Sequence, residues 1–121
     1  MKNGLYHVIL TLHEDVTNYV AAIRDGIIEG GDSVSCFSGT IRFERNSFSA
    51  DLTIRKYAEL DRYLPVFGNG PTRVTVEGTV TTANTALGMV TNAKCQGAVP
   101  QVELRGLRIA RADESPDQAA A

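Results

Sequence analysis

Between residues 41 and 55 the chain reads IRFERNSFSADLTIR, in which apolar and polar side chains alternate on either side of Arg45-Asn46. Alternation with a period of two indicates a strand with one buried face, whereas a helix repeats its apolar positions every three to four residues. A short polar segment between two such runs is typical of a turn that joins antiparallel strands. This stretch therefore predicts a β-hairpin.

The same alternation recurs along most of the chain. Asp25-Gly26 separates two further runs and is a strong turn signal, since both residue types tolerate a positive φ. We predict a second tight turn at Gly30-Gly31-Asp32-Ser33, with the glycines free to adopt left-handed conformations and Asp32 accepting local backbone N–H groups. The predicted strands lie near residues 4–13, 17–24, 27–30, 33–44, 47–57, 72–80, 86–95 and 101–110.

Three segments depart from this pattern. Residues 58–64 are predicted to form at most one short helix, because Pro65 disfavours its continuation. In the last strand the apolar series shifts phase between Gly106 and Leu107, which predicts a β-bulge at Gly106. Residues 112–121 lack a large apolar anchor, so we predict a disordered C-terminal tail after a single domain over residues 1–111.

Eight short strands without a long crossover helix indicate an antiparallel meander. Because closure of a meander removes its exposed edges, we predict an all-β, eight-stranded antiparallel up-and-down barrel with at most one short helix. A two-sheet sandwich is the alternative. The interior of an eight-stranded barrel holds either packed side chains or one small ligand. The residues that we predict to face this interior are Tyr6, Val8, Leu10, Phe48, Leu52, Val74 and Val76.

Composition excludes several classes of protein. The 121 residues, 43% hydrophobic and 21% charged, are typical of one globular domain, and a net charge of -2 is too balanced for binding to a phosphate backbone. No apolar run approaches the ~20 residues of a membrane span, and the N-terminal residues do not have the apolar core of an export signal. We therefore expect a cytoplasmic protein in which Cys36 and Cys95 are free thiols.

Patterns that indicate catalysis or metal binding are missing from the sequence. His7 and His13 fall on one face of the first predicted strand but roughly 20 Å apart, which is too far for both to bind one metal. Cys36 and Cys95 fit no metal-ligand spacing, and neither a nucleophile elbow nor a glycine-rich phosphate loop is present. We therefore predict a protein that is not an enzyme, with no catalytic or metal site and no cofactor.

Short motifs between residues 4 and 110 follow one another in a distinctive order. They are GLY at 4–6, DGIIEGGDS at 25–33, FSGT at 37–40, NSFSA at 46–50, VFG at 66–68 and TVEG at 75–78. This series resembles the GrlR family, small bacterial proteins named after a negative regulator of type III secretion genes. The resemblance implies a lipocalin-like barrel that dimerises and regulates by binding another protein. In that regulator an acidic hairpin captures the partner, whereas the hairpin at 43–47 here has one acid beside one base.

Two functions remain open, beside an enzyme that we keep only as a residual alternative. The chain is either a regulatory module that acts as a homodimer through protein–protein contacts, or a carrier or sensor of a small apolar ligand in the barrel. Leu5 and Ile9 lie on the face opposite Tyr6 and Val8, so we expect an interface there. A filled interior with an apolar outer patch favours the regulatory module, and a large cavity favours the carrier. We expect neither a nucleic-acid partner nor a membrane partner.

Overall fold

The eight strands form one closed barrel in a computed structural model that describes residues 2–56, 71–94 and 97–107. Each strand pairs antiparallel with the next, and the last pairs with the first. The eight-stranded up-and-down barrel is confirmed, and the sandwich alternative is wrong. The strands are β1 (Gly4–Leu12), β2 (Asp15–Arg24), β3 (Ile27–Gly31), β4 (Ser35–Glu44), β5 (Ser47–Lys56), β6 (Thr72–Val80), β7 (Thr85–Val90) and β8 (Gln101–Gly106).

Some predictions concern residues outside the described ranges. The short helix at 58–64, the tail at 112–121 and Cys95 all lie there, so they stay predictions. The described residues contain no helix.

Two-residue turns connect β1 to β2, β2 to β3 and β4 to β5. Asp25 and Gly26 both have positive φ, 51° and 81°, which is the type I′ geometry that matches the twist of paired strands. His13 and Arg45 hold the first position of the other two turns, with φ of 55° and 53°. The structure therefore has a turn at Asp25-Gly26, where the sequence predicts one.

The second predicted turn begins two residues later than the sequence indicated. Gly30 and Gly31 are the last residues of β3, and neither has a positive φ. The chain reverses after them through Asp32 and Ser33, and Asp32 Oδ1 accepts the N–H groups of Val34 at 2.9 Å and Ser35 at 2.7 Å. The prediction of left-handed glycines is thus corrected.

Gly30 instead allows a close approach between strands. An added Cβ at this position would lie 2.2 Å from the carbonyl oxygen of Val20 on β2. Real Cβ atoms do not approach a backbone oxygen so closely, so any side chain at residue 30 would force β2 and β3 apart.

The predicted bulge at Gly106 is not observed. Pairing between β1 and β8 is continuous from Thr11 opposite Gln101 to Tyr6 opposite Gly106, and Leu107 donates its N–H to the Leu5 carbonyl at 2.8 Å in the same register. Leu107 points to the outer surface, where it is 40% exposed. The apolar residue that suggested a shift of phase belongs to the outside of the barrel rather than to its core.

The interior is packed with apolar side chains from all eight strands. Of the seven predicted interior residues, Leu52 is half-buried and the others are buried. The buried cluster consists of Tyr6, Val8, Leu10, Tyr19, Ala21, Ile23, Ile28, Phe37, Ile41, Phe48, Ala50, Val74, Val76, Ala86, Val90, Val102 and Leu104.

Candidate functional site

The barrel interior contains a cavity of about 50 Å³. Six of the predicted interior residues line it: Val8, Leu10, Phe48, Leu52, Val74 and Val76. The rest of its wall is also built from hydrophobic residue types, among them Tyr19 and Phe37. Sites for drug-sized ligands usually measure about 300–1,000 Å³, so the space left between these side chains is too small for such a molecule.

Tyr6, the seventh predicted interior residue, does not line this cavity. Its side chain is buried, and its hydroxyl donates a hydrogen bond to the carbonyl oxygen of Lys2. Burial raises the pKa of Tyr6 above the ordinary value of 10.0, because the phenolate would lose its solvation inside the barrel. The Tyr6 hydroxyl therefore ties the N-terminal segment to β1 and lies outside the cavity lining.

The histidines and the described cysteine are dispersed over the surface. His7 Nε2 lies 2.7 Å from Asn18 Oδ1 on the neighbouring strand, whereas His13 lies in the turn after β1 and not on the strand. Cys36 is a half-buried free thiol on β4. Among the residues that the structure describes, no group of three or more His, Cys, Asp or Glu side chains could hold a metal ion.

Apolar side chains cluster on one side of the outer surface. Leu107, Leu5 and Ala22 lie next to one another on three adjacent strand positions, as the register of β1 with its neighbours shows. Val20, 51% exposed, lies one row further along β2, opposite His7, and Ile9, half-buried, lies two rows further along β1, opposite Asn18. We call these five residues the outer apolar face.

The sequence indicated only part of this face. Leu5 and Ile9 stood out because they share β1 with the buried series that begins at Tyr6. Val20 and Leu107 were missed, although Val16, Val20 and Ala22 follow a period of two along β2, on the side opposite its buried residues. That second alternating apolar series was the available signal.

More exposed apolar residues flank the outer apolar face. Val16 lies at one end of β2, and Leu87 and Met89 lie on β7; all three are about half exposed. Between β7 and β1 runs β8, whose outer side chains are polar and where Arg105 forms a salt bridge with Glu103. The apolar surface is therefore interrupted by this charged pair on β8, and also by His7 and Asn18 within the outer apolar face.

The opposite side of the barrel is polar. On this side Thr75 Oγ1 donates a hydrogen bond to Asp51 Oδ1 at 2.9 Å, between β6 and β5. The outer surface of the barrel is therefore two-sided. The outward positions of β4, β5 and β6 include Ser38, Thr40, Arg42, Ser49, Asp51, Thr53, Arg73, Thr75, Glu77 and Thr79.

The sequence of this chain matches no protein-family model, and no curated protein sequence matches it significantly. In the described ranges no helix has the length and the apolar character needed to cross a membrane.

Proposed function

We propose that this chain is a non-enzymatic regulatory module of the cytoplasm that acts as a homodimer and binds another protein. The observation that carries the proposal is the combination of a filled barrel with an apolar patch on its outside. A carrier needs the reverse arrangement, namely a cavity inside and a polar surface outside.

The interior weighs against the carrier. A cavity of about 50 Å³ has room for no more than a few small atoms, and its wall consists of hydrophobic residue types. Ligand pockets add a few well-placed polar groups that orient the ligand. The Tyr6 hydroxyl donates a hydrogen bond to the Lys2 carbonyl, and Tyr6 does not line the cavity.

The outer surface supports a protein interface. Val20 and Leu107 remain 51% and 40% exposed, although the barrel needs neither of them for its core. An interface of ordinary size buries ~800 Å² per partner, so it would extend beyond the outer apolar face to the flanking Leu87 and Met89. Burial of these side chains against a second copy removes apolar surface from water.

The sequence resemblance to the GrlR family agrees with this proposal, because it implies a dimeric regulator. The hairpin between β4 and β5 places Glu44 beside Arg45, without the acidic cluster by which the family's name-giving regulator captures its partner. We therefore expect the protein partner of this chain to differ from the partner of that regulator.

Light scattering on the purified protein at micromolar concentration tests the homodimer. We expect twice the chain mass of 13.0 kDa, and we expect the monomer for Val20→Glu, which places a charge in the outer apolar face. Thr40→Glu is the matched control, because Thr40 is exposed on the polar side of the barrel. A monomeric wild-type protein, above all one with an apolar metabolite bound inside, would overturn the proposal.

A further inference from the structure

Part of β2 has a neighbouring strand on one side only. β1 pairs with β2 from Asp15 to Ile23, whereas β3 pairs only with Val20–Arg24. Within the described residues, no strand lies beside residues 15–19 on the β3 side. We call residues 15–19 the open edge of β2.

The open edge presents backbone groups that can form a further ladder. The Val20 carbonyl faces β3, since it is the atom that a Cβ on Gly30 would meet. Hydrogen-bonding groups alternate in direction along a strand, so the N–H and C=O groups of Val16 and Asn18 point the same way. Thr17 and Tyr19 point towards β1. The open edge thus offers two donors and two acceptors at the spacing of an antiparallel ladder.

The side chains around these groups leave them accessible. Asp15, Val16 and Asn18 are exposed. The Asn18 side chain is held on the outer surface by its contact with His7 Nε2 at 2.7 Å, so it does not fold back over its own backbone.

In the described structure part of β6 also lacks a neighbouring strand on one side, but a side chain binds its free backbone groups. β7 pairs with β6 only over Val76–Val80, and the Asn92 side chain takes the place of a strand beyond that point. Its Oδ1 accepts the N–H of Thr75 at 2.8 Å, and its Nδ2 donates to the carbonyl of Arg73 at 3.2 Å. Exposed edges invite pairing and are commonly blocked in this way. The open edge of β2 has no such side chain among the described residues.

The charge beside the open edge is negative. Glu14 and Asp15 lie at its start, and both are exposed. A second copy of the same edge would bring carboxylates against carboxylates. A strand that carries lysine or arginine would instead match these charges.

We infer that the open edge of β2 binds an extended, lysine- or arginine-bearing segment of a partner protein and adds it to the barrel as a further strand. The inference rests on the proposed function and identifies the surface that the regulated protein would contact. Main-chain hydrogen bonds to Val16 and Asn18 supply affinity, and the carboxylates of Glu14 and Asp15 select basic side chains.

The test uses a fluorescent peptide of alternating lysine and valine, about eight residues long, whose binding is followed by anisotropy. We expect saturable binding that weakens as salt is raised, because the exposed charges are screened. A glutamate–valine peptide and a lysine–valine peptide N-methylated at alternate residues should bind at least ~10-fold more weakly, which corresponds to ~1.4 kcal/mol.

Two variants of the chain locate the site. Asn18→Pro removes a backbone donor of the open edge but keeps the ladder to β1, and Asp15→Lys reverses a charge on an exposed residue. We expect each to weaken binding of the lysine–valine peptide ~10-fold. Glu44→Lys makes the same kind of charge reversal in the hairpin between β4 and β5 and should bind the peptide as the wild type does.

Equal binding of the lysine and glutamate peptides, or unchanged binding by Asp15→Lys, would overturn the inference. Light scattering on the same samples separates this result from the proposed homodimer. A dimer that binds none of the three peptides contradicts only the open-edge inference. A monomer that binds the lysine–valine peptide contradicts only the proposed homodimer.

Discussion

The rings of Tyr19 on β2 and Phe37 on β4 meet edge to face, with centroids 5.6 Å apart and planes inclined by 84°, although β3 lies between the two strands. Gly30 occupies the intervening position of β3, paired with Ala21 on one side and Phe37 on the other. Because Gly30 has no side chain, the rings of Tyr19 and Phe37 can meet in the interior across β3. Such a ring pair contributes about 0.5–1.5 kcal/mol beyond its buried area.

Gly30→Ala should lower the free energy of unfolding by about 1–3 kcal/mol, because the added methyl group must displace β2 backbone and disturb the ring pair. Urea denaturation measures this change. Gly106→Ala is the control, since its Cβ would come no closer than 3.3 Å to the Asn84 side chain. Equal stability of the two variants would contradict the role given to Gly30.

Asp32→Ala should destabilise the barrel by about 1–2 kcal/mol, because the N–H groups of Val34 and Ser35 lose the acceptor that caps them. Asp32→Asn keeps an oxygen at the same position and should cost less than Asp32→Ala. Thermal unfolding of the three proteins under identical conditions measures the order. If Asn proved as harmful as Ala, the capping oxygen would not be the cause.

Asn92→Ala should lower the free energy of unfolding by about 1 kcal/mol, because the β6 backbone at Arg73 and Thr75 loses its hydrogen-bond partners. Asn92→Asp keeps the acceptor for the Thr75 N–H but loses the donor to Arg73, so we expect it to fall between wild type and Asn92→Ala. Hydrogen exchange provides a direct measurement, because the Thr75 amide should exchange faster in Asn92→Ala. An unchanged rate would show that Asn92 does not protect this amide.

The pKa of Tyr6 gives a prediction for alkaline pH. The folded state holds the Tyr6 proton more tightly than the unfolded chain, whose pKa lies near 10.0. The contribution to stability is therefore complete below about pH 10 and is lost as the pH rises through the higher folded-state pKa. Denaturation curves at about pH 8 and about pH 11 should differ more for wild type than for Tyr6→Phe. Equal differences would contradict a buried phenol at residue 6.

The sequence was sufficient to predict the barrel because its determinants are local. Alternation within each strand and the tolerance of Asp25 and Gly26 for a positive φ are properties of neighbouring residues. The need for glycine at position 30 could not be predicted. It depends on the carbonyl group of Val20, ten positions earlier in the chain, which strand pairing brings next to Gly30. The bulge at Gly106 was predicted wrongly because a shift of phase in one strand gives the same sequence pattern as an apolar residue, here Leu107, on the outer side of the strand.

The candidate site was predictable only in outline. Alternation identified Leu5 and Ile9 as apolar on the outside, but the neighbours that extend this surface, Val20 and Leu107, follow from pairing across strands. The volume of the interior was also beyond the sequence, because it depends on how side chains such as Phe48 interlock. The open edge of β2 results from the difference in length between β2 and β3, and strand ends are the least certain feature of a sequence pattern.

The pairing of β8 with β1 has a consequence for how the protein is made. Every other pairing joins strands that follow one another along the chain, so seven hairpin contacts can form while synthesis proceeds. The barrel cannot close until residues 101–106 have left the ribosome. Until then β1 and β7 each have one edge without a paired strand. The last strand therefore completes the barrel. A chain whose synthesis stops before Gln101 would be released as an open sheet, and its two unpaired edge strands, β1 and β7, would promote aggregation.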